Sequence, residues 1–313
     1  MESHQKVPGE PLNTQIMKPP VMDSLSNLSI IIPAYNEERA IGLVLEALCI
    51  APELEDAEIL VVDDGSIDGT SEIVSQFNRA RLVRHSTNIG YGAAISTGVK
   101  ASSGQHIVWF DADGQHRVQD LVTVARTLVE ENLDYCIGSR SDKSYQASSR
   151  KLGKFVLAVS VRLAAGSTIQ DFNSGLRGFK REVIKKYLHL LPKGFGASTT
   201  TSLIMIERGY FGKEVPIVVR NRIGKSSVNQ IRDGVRTLML VLRIFLLFKP
   251  MQFFGGLGLF FILVGAFYGF SKAFMNRQGF PVLAALVIIF GIQSVFFGLL
   301  ADQVSSLRRE KFE

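Results

Sequence analysis

The stretch His106-Ile107-Val108-Trp109-Phe110-Asp111-Ala112-Asp113-Gly114-Gln115-His116 joins an apolar run to two carboxylates. The run at 106–110 predicts a buried β-strand, with Asp111 and Asp113 at its carboxyl end. Side chains two residues apart in an extended segment point the same way, so the two carboxylates are expected to converge. Such oxygen ligands suit Mg2+ or Mn2+, whose open coordination positions are filled by substrate phosphates. Because this spacing of aspartates also arises by chance, its surroundings decide the interpretation.

Apolar and amphipathic segments alternate on both sides of this strand. Strands are predicted at 28–32, 58–62, 81–84, 106–110 and 135–137, and helices at 37–48, 68–77, 90–101 and 118–131. Pro33 is expected to end the first strand. The alternation predicts an α/β protein with an open, mostly parallel, Rossmann-like sheet and helices on both faces. Ligands of such sheets bind outside the carboxyl ends of the strands.

Polar clusters follow three of the predicted strands. They are Pro33-Ala34-Tyr35-Asn36-Glu37, Asp63-Asp64-Gly65-Ser66 and Asp111-Ala112-Asp113. Asn36 and Ser66 suit either a binding site or a turn, and Asp68 is expected to cap the helix that follows it. Capping explains the clustered aspartates less well, because carboxylates repel one another unless a cation or a donor lies among them. We therefore expect one polar site at this edge of the sheet.

The carboxyl-terminal part of the chain accounts for its high mean hydropathy of +0.18. Charged residues are absent from 250–271 and from 278–301. Each segment is long enough to cross the hydrocarbon layer as a helix of about 20 residues. Two transmembrane helices are predicted, at about 250–271 and 279–301, in preference to two buried core helices. Small residues in the first of them would allow close helix contact, including contact between subunits of a homo-oligomer: Gly255, Gly256, Gly258 and Gly265.

The net charge of +6 is concentrated beside these two segments. The stretch before them contains one acid, Asp233, and a group of basic residues: Arg220, Arg222, Lys225, Arg232, Arg236, Arg243 and Lys249. This pattern is expected next to an anionic membrane leaflet, and it disfavours nucleic acid as a partner. The tail after Asp302 is also basic, so the positive-inside rule places both ends in the cytoplasm. A multi-pass membrane protein with two helices and a cytoplasmic main domain is therefore expected.

Four regions are expected along the chain. Residues 1–27 are polar and rich in proline, and are expected to be disordered without a cleaved signal peptide. Residues 28–227 form the α/β domain, and 228–249 form an amphipathic juxtamembrane helix with basic residues at helical spacing. Residues 250–313 contain the transmembrane hairpin and a short cytoplasmic tail.

Further motifs accompany the polar clusters, in a fixed order. The series is Pro33-Ala34-Tyr35-Asn36-Glu37-Glu38, Val61-Val62-Asp63-Asp64-Gly65-Ser66, Asp68-Gly69-Thr70, Asn88-Ile89-Gly90 and Asp111-Ala112-Asp113-Gly114-Gln115-His116. It resembles the motif series of family 2 glycosyltransferases of the GT-A fold. Two later motifs narrow the resemblance to the dolichyl-phosphate mannosyltransferase and polyprenyl-phosphate glycosyltransferase branch: Gly138-Ser139-Arg140 and Gln170-Asp171-Phe172-Asn173-Ser174-Gly175. The resemblance covers about residues 28–230, and the paired helices match membrane-anchored members.

This resemblance implies a nucleotide-sugar donor, a GDP- or UDP-hexose. The donor-binding positions that it implies are Pro33, Tyr35, Glu37, Val62, Asp64, Asp111, Ala112, Asp113, Gln115, Arg222 and Lys225. Asp111, Asp113 and Gln115 would hold Mg2+ or Mn2+ against the diphosphate. Relatives often carry a lysine where Ser227 stands, so the cation that closes over the donor is either Lys225 or another basic residue.

The resemblance also implies a dolichyl or polyprenyl phosphate acceptor at the membrane. Arg140 and Arg150 would receive its phosphate, and Asp171 with Ser174 would line the sugar pocket. The residues implied in catalysis itself are Asp113, Arg140 and Asp171. The resemblance further implies a metal-dependent transfer of a hexose that inverts the anomeric carbon.

The chemistry of a lipid phosphate acceptor agrees with these roles. A monophosphate is already anionic near neutral pH and attacks without a strong general base, so no histidine is needed for that role. A metal would stabilise the leaving diphosphate, and arginines grip phosphate oxygens in two places. His116 suits a surface position and a ligand equally, and Arg177 is expected to be a solvated surface residue.

Three other classes of protein fit the sequence less well. A processive polysaccharide synthase would need a tryptophan in an acceptor-binding helix, whereas the only tryptophan is Trp109 in the fourth strand. A catalytically silent, membrane-tethered nucleotide-sugar-binding protein is disfavoured by the intact aspartates and Arg140. A dinucleotide-dependent oxidoreductase is disfavoured because no glycine-rich turn follows the first strand.

Overall fold

The computed structural model describes residues 25–140, 171–194, 196–220, 239, 246, 250–276 and 279–310. Strands β1 to β7 are Leu28–Ala34, Glu58–Asp63, Ala80–Arg84, His106–Trp109, Tyr135–Arg140, Arg177–Lys180 and Gly212–Ile217. Helices α1 to α8 are Ile41–Cys49, Thr70–Val74, Tyr91–Ala101, Val118–Glu130, Arg181–Lys186, Ala197–Glu207, Pro250–Asn276 and Val282–Glu310. The tail before Leu25, most of the predicted juxtamembrane helix, and Arg150, Arg222 and Lys225 lie outside the described residues.

The seven strands form one sheet in the order β3-β2-β1-β4-β6-β5-β7. β1 pairs in parallel with β2 and β4, β2 with β3, and β5 with β7. Only β6, within this sheet, runs antiparallel to its neighbours β4 and β5. The predicted open and mostly parallel sheet is therefore confirmed. The strand order reverses between β1 and β4, and ligands of such sheets bind in the crevice at that point.

Helices cover both faces of the sheet, as predicted. Helices α1, α2 and α4 pack on one face, and α3, α5 and α6 pack on the other. On α1 the buried residues Ile41, Val44, Leu45 and Leu48 recur at helical spacing and form the stripe that faces the sheet. The core already includes Leu25, three residues before β1 begins. The strand ends are thereby held on a rigid scaffold.

Some element boundaries differ from the predicted ones. β1 continues through Pro33, which pairs with Val62 of β2. Proline is tolerated there because pairing with β4 on the other side has already ended at Ile31. Helix α2 is shorter than predicted: it begins at Thr70, and its N-cap residue is Gly69, without a side-chain capping hydrogen bond. Asp68 lies one residue earlier than a cap, although its Oδ1 accepts the N–H of Thr70 at 3.1 Å.

Helices α7 and α8 form the predicted apolar hairpin. Their membrane-length segments are Pro250–Met275 and Val282–Leu307, and only 17% and 22% of the apolar windows are buried. That exposure is inconsistent with core helices of a soluble domain. A Cβ atom added to Gly258 or to Gly291 would lie within 2.7 Å of the backbone of the other helix, so these glycines serve contact within one chain.

Candidate active site

The two aspartates of the central motif lie on a turn after β4. The strand ends at Trp109, and the turn contains Ala112 and Asp113. Oδ1 of Asp113 accepts the backbone N–H of Gln115 at 3.0 Å, which orients this buried carboxylate. The Asp111 side chain is partly exposed. A turn, and not the alternation of an extended strand on which the prediction relied, therefore positions the pair.

Residues from two other segments enclose Asp111. Its Oδ1 accepts a hydrogen bond from the Tyr91 hydroxyl, at the start of α3, at 3.0 Å. Burial, followed by the charge of Asp111, raises the pKa of Tyr91 well above its usual value, so the hydroxyl stays protonated and continues to donate. On the other side, a Cβ atom added to Gly175 would lie 1.9 Å from Asp111 Oδ2. The absence of a side chain at Gly175 therefore leaves room for this carboxylate.

Arg140, at the end of β5, forms a two-point ion pair with Asp171. Its Nε donates to Oδ2 at 2.6 Å and its Nη2 to Oδ1 at 2.7 Å. Burial acts to raise the pKa of Asp171, but the hydrogen bonds and charge of Arg140 outweigh it and lower that pKa below its usual value. The backbone N–H of Asp171 donates to Glu214 of β7 at 2.9 Å. With 31% of its side chain exposed, Arg140 can meet a ligand while Asp171 holds it.

Asp64 is buried directly after β2 and is bound by three donors. The backbone N–H groups of Ile89 and Gly90 donate to its Oδ1 and Oδ2 at 3.0 and 2.7 Å. Nδ1 of His85 lies 2.7 Å from Oδ1, and its Nε2 lies 2.9 Å from the Thr97 hydroxyl. Asp64 therefore has the hydrogen-bond donors that we expected a carboxylate in a cluster of acids to need. Asp64 thus fixes the loop that leads into α3.

Reciprocal hydrogen bonds tie the ends of β1 and β2 together. Asn36, at φ 54°, donates its N–H to the Ser66 hydroxyl at 2.9 Å and accepts a backbone N–H from the same loop at its Oδ1. The N–H of Glu37 donates to the Thr70 hydroxyl at 2.9 Å. The sequence allowed either a turn or a binding role for Asn36 and Ser66, and these hydrogen bonds give both residues the role in a turn. Tyr35 remains exposed next to this fixed loop.

Several predicted ligand-contacting residues have buried side chains. Val62 and Ala112 lie in the two hydrophobic layers, and Pro33 is buried within β1. Ser174 is also buried, with its hydroxyl 3.4 Å from the carbonyl oxygen of Leu176. In this conformation these residues can meet a ligand mainly through the backbone.

Arg177 is fully buried, so the expectation of a surface position is wrong: its side chain is 0% exposed at the start of β6. Its Nε and Nη2 donate to the Ser174 carbonyl at 2.9 and 2.7 Å, and its Nη1 donates to the Ser198 carbonyl at 2.6 Å. The guanidinium also lies 6.0 Å from the centre of the Trp109 ring. Burial lowers the pKa of Arg177 to about 10, which leaves it charged at neutral pH. It ties the loop before β6 to α6.

His116 is buried beside the aspartates and is not a surface residue. Its Nε2 lies 3.8 Å from Asp111 Oδ2, and its Nδ1 has no hydrogen-bond partner within the described part of the chain. Burial lowers the pKa of His116, and the charge of Asp113 opposes this effect without reversing it. The ring is therefore neutral at neutral pH, and one nitrogen is left for a ligand or water.

The segment after β7 passes against the aspartate turn. The N–H of Arg220 donates to the Gln115 carbonyl at 2.9 Å, and the Gln115 side-chain amide donates to the Arg220 carbonyl at 3.2 Å. The predicted donor-closing residues Arg222 and Lys225 follow within five residues in sequence, outside the described residues.

The oxygen-rich turn fits a divalent cation that is shared with a ligand. In the described ranges no group of three or more His, Cys, Asp or Glu side chains is placed to hold a metal. Asp111, Asp113 and Gln115 nevertheless present oxygen ligands on one turn, and His116 adds a buried nitrogen without a partner among described residues. Mg2+ commonly uses one or two protein carboxylates and completes its shell with water and phosphate oxygens. The residues therefore suit a phosphate-bound ion and not a closed protein cage.

The sheet order, with the aspartate turn at its reversal point, is that of a GT-A-like α/β domain, here followed by an apolar hairpin. The family model described as Glycosyl transferase family 2 matches residues 29–188, and the one described as GtrB C-terminal hairpin matches residues 249–307. The chain belongs to glycosyl transferase family 2. The resemblance carried by the sequence motifs is thereby confirmed.

Known relatives align with the chain over two different extents, one shorter and one nearly complete. A UDP-N-acetylglucosamine–dolichyl-phosphate N-acetylglucosaminyltransferase of Methanococcus voltae is 30% identical and aligns with 60% of this chain and 83% of its own length. An undecaprenyl-phosphate 4-deoxy-4-formamido-L-arabinose transferase of Yersinia enterocolitica is 24% identical over 91% of this chain and 90% of its own. The second relative therefore spans both the α/β domain and the hairpin.

A solved structure shows the same fold. Glucosyl-3-phosphoglycerate synthase from Mycobacterium tuberculosis, in complex with Mn2+, UDP-glucose and phosphoglyceric acid, superposes with a TM-score of 0.57. The match is 21% identical and covers 70% of this chain and 79% of that one. At this identity the likeness concerns the fold alone.

Proposed function

We propose that this enzyme transfers a hexose from a nucleotide sugar to the phosphate of a dolichyl or other polyprenyl lipid. The observation that carries the proposal is the contact of the loop bearing Asp171 with the aspartate turn, through Gly175 and Asp111. This contact brings acids suited to a diphosphate-bound cation near Arg140, a cation suited to an incoming phosphate. Relatives named for dolichyl-phosphate and undecaprenyl-phosphate acceptors support the same substrate class.

In the proposed reaction Arg140, together with Arg150, orients the lipid phosphate. An oxygen of that phosphate attacks the anomeric carbon in a single displacement, and the nucleoside diphosphate departs from the opposite face, so the configuration inverts. The acceptor needs no strong base because a monophosphate is already ionised near neutral pH. Asp171 would act by holding Arg140 and, with Ser174, by bordering the sugar.

The donor would lie across the ends of β1, β2 and β4. Tyr35 and Glu37 would meet the base and ribose near the end of β1, and Asp64 would support the neighbouring loop through its hydrogen bond with Gly90. Asp111, Asp113 and Gln115 would hold Mg2+ or Mn2+. When bound, that ion neutralises charge on the leaving diphosphate. The complex of the M. tuberculosis synthase with Mn2+ and UDP-glucose supports this assignment by analogy of fold.

We further propose that the catalytic domain faces the cytoplasm. The basic residues that precede α7 and follow α8 favour this side by the positive-inside rule. A polyprenyl phosphate carries its head group at the membrane surface, so an enzyme anchored by a hairpin meets its acceptor there. Accessibility of a reporter cysteine near Glu310 to a membrane-impermeant reagent, in sealed and in opened vesicles, tests the orientation.

Transfer itself is tested with membranes that contain the full chain, polyprenyl phosphate and a panel of radiolabelled GDP- and UDP-hexoses. One donor is expected to yield an organic-soluble product, and a chelator is expected to abolish its formation until Mg2+ or Mn2+ is restored. Nucleotide binding without transfer from any donor would instead identify a silent binding protein. A processive synthase is disfavoured because Trp109 is fully buried in β4 and cannot bind an acceptor.

Replacement of Gly175 with alanine is expected to lower transfer by about a hundredfold, because the new methyl group must displace the Asp111 carboxylate by more than 1 Å. The backbone at Gly175 is not in the left-handed region, so alanine adds no strain there. Initial rates and the thermal midpoint are the measurements. Gly194→Ala is the matched control, since no atom of the described residues lies within 4 Å of its added Cβ. Equal rates in the two variants would contradict a requirement for the observed Asp111 position.

A further inference from the structure

We propose that α8 is a dimerisation helix, and that Gln293 pairs with the same residue of a second copy of this chain inside the membrane. Gln293 is exposed on α8 and has no hydrogen bond to any described residue. It lies 11 residues into the membrane-length segment Val282–Leu307. At 1.5 Å per residue this is about 16 Å along the helix, close to the middle of a hydrocarbon layer about 30 Å thick.

An amide at that depth favours a polar partner, because lipid tails offer neither donors nor acceptors. The hairpin does not supply one. Ser294, the neighbouring residue, faces α7 and donates to the Phe254 carbonyl at 3.1 Å, whereas Gln293 points away from that contact. The amide therefore has to be satisfied by something outside the hairpin.

The exposed residues on either side of Gln293 have the spacing of residues at the interface of two paired helices. We define the α8 seam as the exposed residues that recur at alternating intervals of three and four: Leu286, Ile289, Gln293, Phe296, Leu300, Gln303 and Leu307. This is the repeat of two helices wound in a left-handed coiled coil. The opposite side of α8 is already used, since buried residues at seven-residue intervals lie against α7: Ala284, Gly291 and Gly298.

A second copy of this chain fits the seam better than an unrelated protein does. Copies inserted in one membrane share their orientation, so two α8 helices run parallel and each seam residue meets its own counterpart. A primary amide carries both donors and an acceptor, so Gln293 is complementary to itself. The seam contains a second glutamine, Gln303, but that residue lies near the end of the membrane-length segment. A polar residue in the middle of an otherwise apolar seam, as Gln293 is, also fixes the register of a parallel pair. The inference rests on the hairpin alone and is independent of the sugar and acceptor proposed above.

Cysteine scanning of the full chain in membranes tests the pairing. Single cysteines at Ile289, Gln293 and Phe296 are expected to give at least about tenfold more disulfide-linked homodimer than cysteine at Ile292, an exposed neighbour outside the seam. The unsubstituted chain measures any background from Cys49 and Cys136. Equal cross-linking at Ile292, or an adduct whose mass is not that of two copies, would overturn the proposal.

A second measurement does not depend on introduced cysteines. Gln293→Leu is expected to weaken self-association in bilayers by about three- to twentyfold, the range of interhelical hydrogen bonds in membranes, while donor binding by the catalytic domain is unchanged. Gln252→Leu, at an exposed glutamine near the start of α7, is the control and is expected to leave association unchanged. An unaltered dissociation constant for Gln293→Leu would likewise overturn the pairing.

Discussion

Asparagine in place of Asp113 is expected to lower the rate of sugar transfer by about a thousandfold, which corresponds to several kcal/mol of lost transition-state stabilisation. The substitution removes the negative charge that would hold the cation on the diphosphate. It retains an oxygen in the place of Oδ1, so the hydrogen bond from the Gln115 N–H at 3.0 Å can persist and the turn keeps its shape. The measurement is the initial rate of formation of organic-soluble product at saturating Mn2+.

The same variant has a readout that does not require catalysis. Mn2+ is expected to strengthen nucleoside diphosphate binding to the native chain and to have little effect on the Asp113→Asn variant. Asp56→Asn is the matched control, since Asp56 is exposed just before β2, at the opposite edge of the sheet from the aspartate turn. Full transfer by Asp113→Asn would remove this carboxylate from the proposed metal site.

Alanine in place of Arg140 is expected to lower transfer by about a hundred- to a thousandfold, the usual effect of losing a charged group that stabilises the reacting centre. The loss is expected chiefly in kcat/KM for the lipid phosphate, whereas the KM for the nucleotide sugar changes little. Varying each substrate in turn separates the two effects. A loss confined to the donor KM would contradict the proposed acceptor role.

Arg140 also has a structural partner, and a double substitution separates the two roles. Arg140→Ala leaves the carboxylate of Asp171 without its two hydrogen bonds of 2.6 and 2.7 Å, which by itself costs stability. Removing both partners, in Arg140→Ala/Asp171→Ala, relieves that cost. If Arg140 binds the acceptor phosphate, the thermal midpoint is expected to recover while transfer stays low. Recovery of transfer together with stability would show that transfer needs neither side chain, and that the loss in Arg140→Ala came from the unpaired Asp171 carboxylate.

The positions of the strand ends were predictable because each depends on residues close together in the chain. Apolar runs such as 58–62 and 106–110 specify buried strands, and the polar residues after them fall at one edge once the strands are parallel. The hairpin was predictable for a similar reason, since an uncharged segment of sufficient length has few alternatives to crossing a membrane. Local patterns thus predicted where the aspartate turn lies, but they did not predict its geometry.

The partners of the site residues were not predictable in the same way. Tyr91 binds Asp111 and His85 binds Asp64, yet neither residue belongs to a recognisable sequence motif. The one available signal was that His85 directly follows β3, at the carboxyl-terminal edge of the sheet where the site lies. A lone arginine such as Arg177 fits a surface position equally well until the carbonyl groups around it are known. Likewise, only the packing of α7 on α8 shows which face of each helix is already occupied.

The sequence alone determined the fold class, the edge at which the site lies and the presence of a membrane hairpin, since periodicity, strand ends and hydropathy are local properties of the chain. The tertiary structure decided which donor meets each carboxylate, that Arg177 is buried under the site and that Gln293 faces away from its own hairpin. Those features join or separate segments far apart in the chain, and they follow from packing and burial, which no local pattern encodes.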